Sequence, residues 1–103
     1  NAALLQQAGV PVAIMTGYVG YVPKSRILLF ETAIAAANGL GMEPALRAIT
    51  ISPAKILGID DRAGSLAKGK DADIAVFDGD PFEYTSHVQQ VLVQGEVTYQ
   101  RGQ

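Results

Sequence analysis

The sequence predicts an α/β fold, and three observations predict it. Val10-Pro11-Val12-Ala13-Ile14-Met15 is a short continuous apolar run with β-branched residues, the pattern of a strand buried on both faces, as in a parallel sheet. Between Ser25 and Gly58, apolar residues recur at helical spacing and are punctuated by cap and stop signals. After Gly58 the period changes, and turn residues separate three short strand-like runs. The chain therefore divides into an α/β half, about 1–58, and a β half, about 59–103.

Each element has its own local reason. Residues 2–8 read as the end of a helix stopped by Gly9, which suits the left-handed position after a helix. That opening looks like the end of a helix cut from a longer polypeptide. Pro11 sits near the start of the first strand, where a missing N–H is tolerable. A loop rich in Gly and Tyr follows, from Thr16 to Lys24. Ser25 offers an N-cap for a helix running to about Asn38, with Gly39 as its stop. Ile27, Phe30, Ile34 and Ala37 form one apolar face of that helix. Its later turns are thin, with Ala33, Ala35, Ala36 and Ala37. Pro44 suits the first turn of a second helix carrying Ala45, Leu46, Ala48 and Ile49. Ser52-Pro53 repeats the cap-then-proline signal for a third short helix, ended by Gly58.

In the β half, Gly64 and Gly69 mark loops and Ala72 to Phe77 reads as a strand. Asp78-Gly79-Asp80-Pro81 is a strong turn signal. Val88 to Val93 and Val97 to Tyr99 read as two further strands, joined by a tight turn at Gln94-Gly95-Glu96. No internal repeat interrupts this order.

Composition narrows the function classes. The 103 residues suffice for one small domain, and 49% hydrophobic content is globular rather than disordered. The net charge is −2, with both signs spread along the chain, so there is no basic stripe for nucleic acid and no polybasic patch for anionic lipid. No apolar run approaches the ~20 residues that span a bilayer. With no cysteine there is no disulfide, thiolate nucleophile or cysteine-based zinc site. The compartment is not fixed by this.

Few residues carry chemistry. His87 is the single histidine, whereas a catalytic zinc needs about three protein ligands. It reads as an exposed or capping residue. Asp71, Asp73, Asp78 and Asp80 lack the spacing of a calcium loop and read as turn caps around a strand. The loop ending in Lys24-Ser25 fails as a phosphate loop, because Pro23, which has no N–H, stands where glycine is needed. Lys24 and Arg26 are left to meet an anion or to be solvated.

The run Ala45-Leu46-Arg47-Ala48-Ile49-Thr50-Ile51-Ser52-Pro53-Ala54-Lys55-Ile56-Leu57-Gly58 is the most telling stretch. With Gly64-Ser65-Leu66-Ala67-Lys68-Gly69-Lys70-Asp71-Ala72-Asp73-Ile74-Ala75-Val76-Phe77-Asp78 and Val91-Leu92-Val93-Gln94-Gly95, it resembles the C-terminal portion of the amidohydrolase superfamily. These are metal-dependent hydrolases of the imidazolonepropionase, dihydroorotase and prolidase-like type. The resemblance implies that residues 1–58 form the end of a (β/α)8 TIM-type barrel, its last strand and helices. It implies that 59–103 supply strands of a small composite β-domain flanking the barrel. Lys70-Asp71-Ala72-Asp73 matches the family's turn and is expected to be structural, with Asp73 accepting backbone N–H bonds.

The resemblance also implies a divalent, zinc-like metal in the intact parent, but no metal ligand and no catalytic residue in this chain. Family members carry a metal-binding Asp just after the last barrel strand, and the alignment puts Gly17 there. No Asp or Glu lies between Asn1 and Phe30 to replace it. Tyr18 and Tyr21 are the candidate substrate-binding residues at the barrel mouth, with loop packing as their alternative role. The implied function is a C-terminal part of a hydrolase of amide-type C–N bonds, inactive alone. The alternative is a non-catalytic scaffold or interaction protein lacking the metal-binding Asp. The expected partners are the remainder of the parent or further copies of the chain, because the helix face at Ile27, Phe30 and Ile34 needs a wall beneath it.

Overall fold

The computed structural model describes residues 1–19 and 22–102. Helix α1 (Ala2–Gln7) opens the chain, with the Asn1 side chain accepting the Ala3 N–H at 3.1 Å. It ends as expected at Gly9. There the Gly9 N–H donates to Gln6 O at 2.9 Å and the Val10 N–H to Leu5 O at 3.0 Å, which satisfies two of the last helical carbonyls.

The expected strand Val10–Met15 is not a strand in this chain. Among the described residues no other strand lies beside it, and a strand exists only through its ladder of partners. Nor is it buried on both faces: Val10 and Met15 are exposed and Ile14 is half-buried against the core. Beyond the Val10 bond to the end of α1, the Ile14 N–H donates to Ala48 O at 2.8 Å. The following loop holds a small antiparallel ladder, β1 (Tyr18–Val19) with β2 (Val22–Pro23), pairing Tyr18 with Pro23 and Val19 with Val22.

The next helix departs from its expected start. A 3-10 turn covers Ser25–Ile27, and α2 is Leu28–Ala35. Its cap position is Ile27 rather than Ser25, with no side-chain cap bond from Ile27. The chain then widens through Ala36–Leu40 and turns at Gly39 (φ 102°), the expected stop. The buried side of α2 carries Thr32, which is fully buried, and leads on to Ala36 in the following turn. Phe30 (65% exposed) and Ile34 (49% exposed) face outward. A threonine is easily passed over as a core residue. Here its hydroxyl donates to Leu28 O at 2.7 Å, which removes the penalty of burying it.

Helices α3 (Met42–Ala48) and α4 (Ile51–Leu57) follow, each with its proline in the first turn. Thr50, not Ser52, occupies the position before α4, and it makes no cap bond. Ser52 lies inside the helix. Gly58 ends α4 in the left-handed conformation, with its N–H on Lys55 O at 3.1 Å and the Ile59 N–H on Ala54 O at 2.8 Å. The core is small-residue packing: Ala3, Ala36, Leu40 and Ala45 cluster, with Ile14 and Phe82 against them. Phe82 thereby ties the β half to the helical half.

The β half is a three-stranded antiparallel sheet in the order β3 (Ile74–Phe77), β4 (Val88–Val93), β5 (Glu96–Gln100). Val93 faces Glu96 across Gln94 (φ 50°) and Gly95 (φ 82°), a two-residue turn with both central residues at positive φ, whose twist matches that of the strands. The first strand begins two residues later than expected, because Ala72 and Asp73 are occupied with that turn. No helix among the described residues is long and apolar enough to cross a membrane.

Candidate functional site

Three places gather the residues singled out from the sequence. The first is the segment leading to Gly17. The core holds Ile14, Met15 beyond it is 79% exposed, and Gly17 is exposed. Tyr18 belongs to β1, and Tyr21 lies outside the described residues. Lys24 and Arg26 beside them are exposed.

The second place is the turn segment Lys70–Asp73. Lys70 Nζ donates to Ser65 Oγ at 2.7 Å, and the Asp71 N–H to Arg62 O at 2.8 Å. Asp73 Oδ1 accepts the Gln94 N–H at 2.9 Å, and Ala72 O accepts the Gly95 N–H at 3.0 Å. The expected structural role is therefore observed, but its reach is longer than local. The segment clamps the tip of the β4–β5 turn 21 residues away.

The third place surrounds Asp78, whose importance sequence reasoning underrated. Asp78 Oδ1 accepts the His87 N–H at 2.7 Å, and Oδ2 accepts Gln89 Nε2 at 3.0 Å. Oδ2 also lies 3.6 Å from His87 Nδ1 and 3.6 Å from Arg101 Nη1. The His87 N–H above all holds the Asp78 carboxyl below its usual range; burial opposes it, and the nearby His87 and Arg101 side chains add to the lowering. The strand-turn-strand signal around Asp78 was legible, but its partners come from the residue before β4, from β4 itself and from just beyond β5. His87 is a partner of this carboxylate and side-chain exposed, in keeping with the structural reading.

A groove of about 990 Å³ runs between α3, α4 and β3, walled by Leu46, Ile49, Pro53, Leu57, Ile74 and Phe77. Its walls are mainly apolar, with Glu43, Arg47 and Asp71 also lining it, and Asp73 is engaged with Gln94. It lies apart from Gly17. The described residues bring no three of His, Cys, Asp and Glu together. A zinc-like ion needs about three such ligands. Gly17 contributes no side chain, so the described residues do not by themselves fit a metal centre.

Comparison with known proteins places this arrangement. The model of the Amidohydrolase family matches residues 4–99. Imidazolonepropionase of Thermoplasma acidophilum is 32% identical over 109 residues, which cover 99% of this chain and 26% of that protein. N-acetylglucosamine-6-phosphate deacetylase of Rattus norvegicus is 41% identical over 64 residues, 62% of this chain and 14% of that one. Among solved structures, an amidohydrolase from Thermotoga maritima superposes with a TM-score of 0.89 at 37% identity, over 97% of this chain and 26% of its own. The chain belongs to the amidohydrolase family. It spans about a quarter or less of the length of these relatives.

Proposed function

We propose that this chain is the C-terminal part of an amidohydrolase-like, metal-dependent hydrolase of amide-type C–N bonds, inactive by itself. The likeness to the Thermotoga maritima amidohydrolase carries this reading: nearly all of this chain aligns with about a quarter of that one. One relative is by name a deacetylase of an N-acetylated sugar, which is removal of an acyl group from nitrogen. In this reading residues 10–17 and α2 form the last strand and helix of a (β/α)8 barrel. Residues 59–103 join a flanking β-domain. Barrel enzymes place their chemistry at the C-terminal ends of the strands, which makes Thr16–Lys24 the functional face. Tyr18 and Tyr21 then contact substrate.

The exposed Phe30 and Ile34, together with Met15 and Leu57, support a role for covering partners, which are the remainder of the parent or copies of the chain. A divalent ion would be held by other segments of the parent. Its chemistry when bound is the activation of a water molecule. Gly17 favours a second reading, a non-catalytic scaffold. The test is turnover of cyclic and linear amides by the full-length protein, with and without chelator. Chelator-sensitive hydrolysis supports the enzyme. A folded full-length protein with no turnover, metal added or not, supports the scaffold.

A further inference from the structure

Gly17 has neither of the usual structural reasons to be glycine. Its φ lies outside the left-handed region, so the backbone accepts any L-residue. A Cβ built there meets no atom of the described residues within 4 Å, so no close approach demands its absence. The segment is anchored just before it, by the Ile14 N–H on Ala48 O at 2.8 Å and by the packing of Ile14 on the core. Residues 1–30 contain no Asp, Glu, His or Cys.

We infer that residue 17 is a vacated ligand position: the chain is built to present a side chain there and presents none. Any divalent ion of the intact protein is held without a carboxylate, imidazole or thiolate from residues 1–30. This rests on the reading that residues 10–17 end a barrel strand beside the parent's metal centre. The consequence is that ligation at this end is absent through the residue type and not through the fold. Among the described residues, a side chain restored there meets neither a clash nor backbone strain.

The experiment uses the full-length protein, stripped with chelator and titrated with Zn²⁺ by calorimetry, with thermal melting of the metal-free forms alongside. Gly17→Ala is expected to melt and to bind Zn²⁺ like the parent. Gly17→Asp is expected to melt like the parent and to bind Zn²⁺ about tenfold more tightly or better, at least the effect that ligand partners have on affinity. If Gly17→Asp does not fold, Gly17→Cys supplies a thiolate and carries the same readout. A folded Asp or Cys variant with unchanged Zn²⁺ affinity overturns the inference, since residue 17 then does not face the metal. So does a Gly17→Ala variant that unfolds or loses Zn²⁺ affinity tenfold. Amide turnover by the unaltered protein is read separately. Turnover with no Zn²⁺ response at residue 17 sinks only this inference. A Zn²⁺ response with no turnover sinks only the hydrolase reading.

Discussion

Replacing Gly64 with alanine should be among the most damaging single-methyl changes in the chain. Gly64 sits over the start of α4 with φ 93°. A Cβ there would lie 2.7 Å from Ala54 Cβ and 3.0 Å from both Ile51 Cα and Thr50 O. Two of these three neighbours are backbone atoms, and Ala54 is itself buried, so none can swing aside. Left-handed backbone costs a residue with a Cβ about 1–2 kcal/mol. Overpacking a rigid contact adds about 1–3 kcal/mol. The total, about 2–5 kcal/mol, is a large share of a typical stability of roughly 5–15 kcal/mol. Gly69 is a matched control: its φ is 91°, and a Cβ there meets nothing within 4 Å. Gly69→Ala should therefore cost only the backbone term. In urea titrations at unchanged slope, the Gly64→Ala midpoint should fall well below that of Gly69→Ala. Equal losses would refute the close approach of residue 64 to α4.

Three further outcomes are expected. Ser52→Ala should change stability by less than about 0.5 kcal/mol, because Ser52 lies inside α4 and caps nothing; a loss near 1 kcal/mol in the same titration would restore it as the cap. Asp73→Ala should cost about 0.5–1.5 kcal/mol by removing the acceptor of the Gln94 N–H, and should speed hydrogen exchange at that amide; unaltered exchange there would count against the clamp. The depressed Asp78 carboxyl gives stability that is complete above its unfolded value of 3.8 and is lost as the pH falls through the lower folded value, since the unfolded chain takes up the proton first. Asp78→Asn should thus flatten the fall in melting temperature below about pH 4, and an unchanged acid limb would show that Asp78 carries none of it.

Local signals in the sequence determined much of this protein. The glycines at 9, 39 and 58 end helical segments, because such positions turn on backbone freedom that is a property of one residue. The β4–β5 hairpin and the strand before it followed from short strand-like runs separated by turn residues. The absence of acidic residues, histidine and cysteine before Glu31 was likewise legible. Long-range pairing decided the rest. Val10–Met15 has the composition of a buried strand, yet a strand is made by its neighbours, and the described residues supply none beside it. Which face of α2 turns inward depended on what it met: Thr32 and Ala36 meet the alanine-rich core, while Phe30 and Ile34 meet solvent. Asp73 and Asp78 looked like local turn caps. Only the tertiary structure brought the Gln94 amide to one, and His87, Gln89 and Arg101 to the other, because hydrogen-bond geometry selects partners by distance in space and not by distance along the chain.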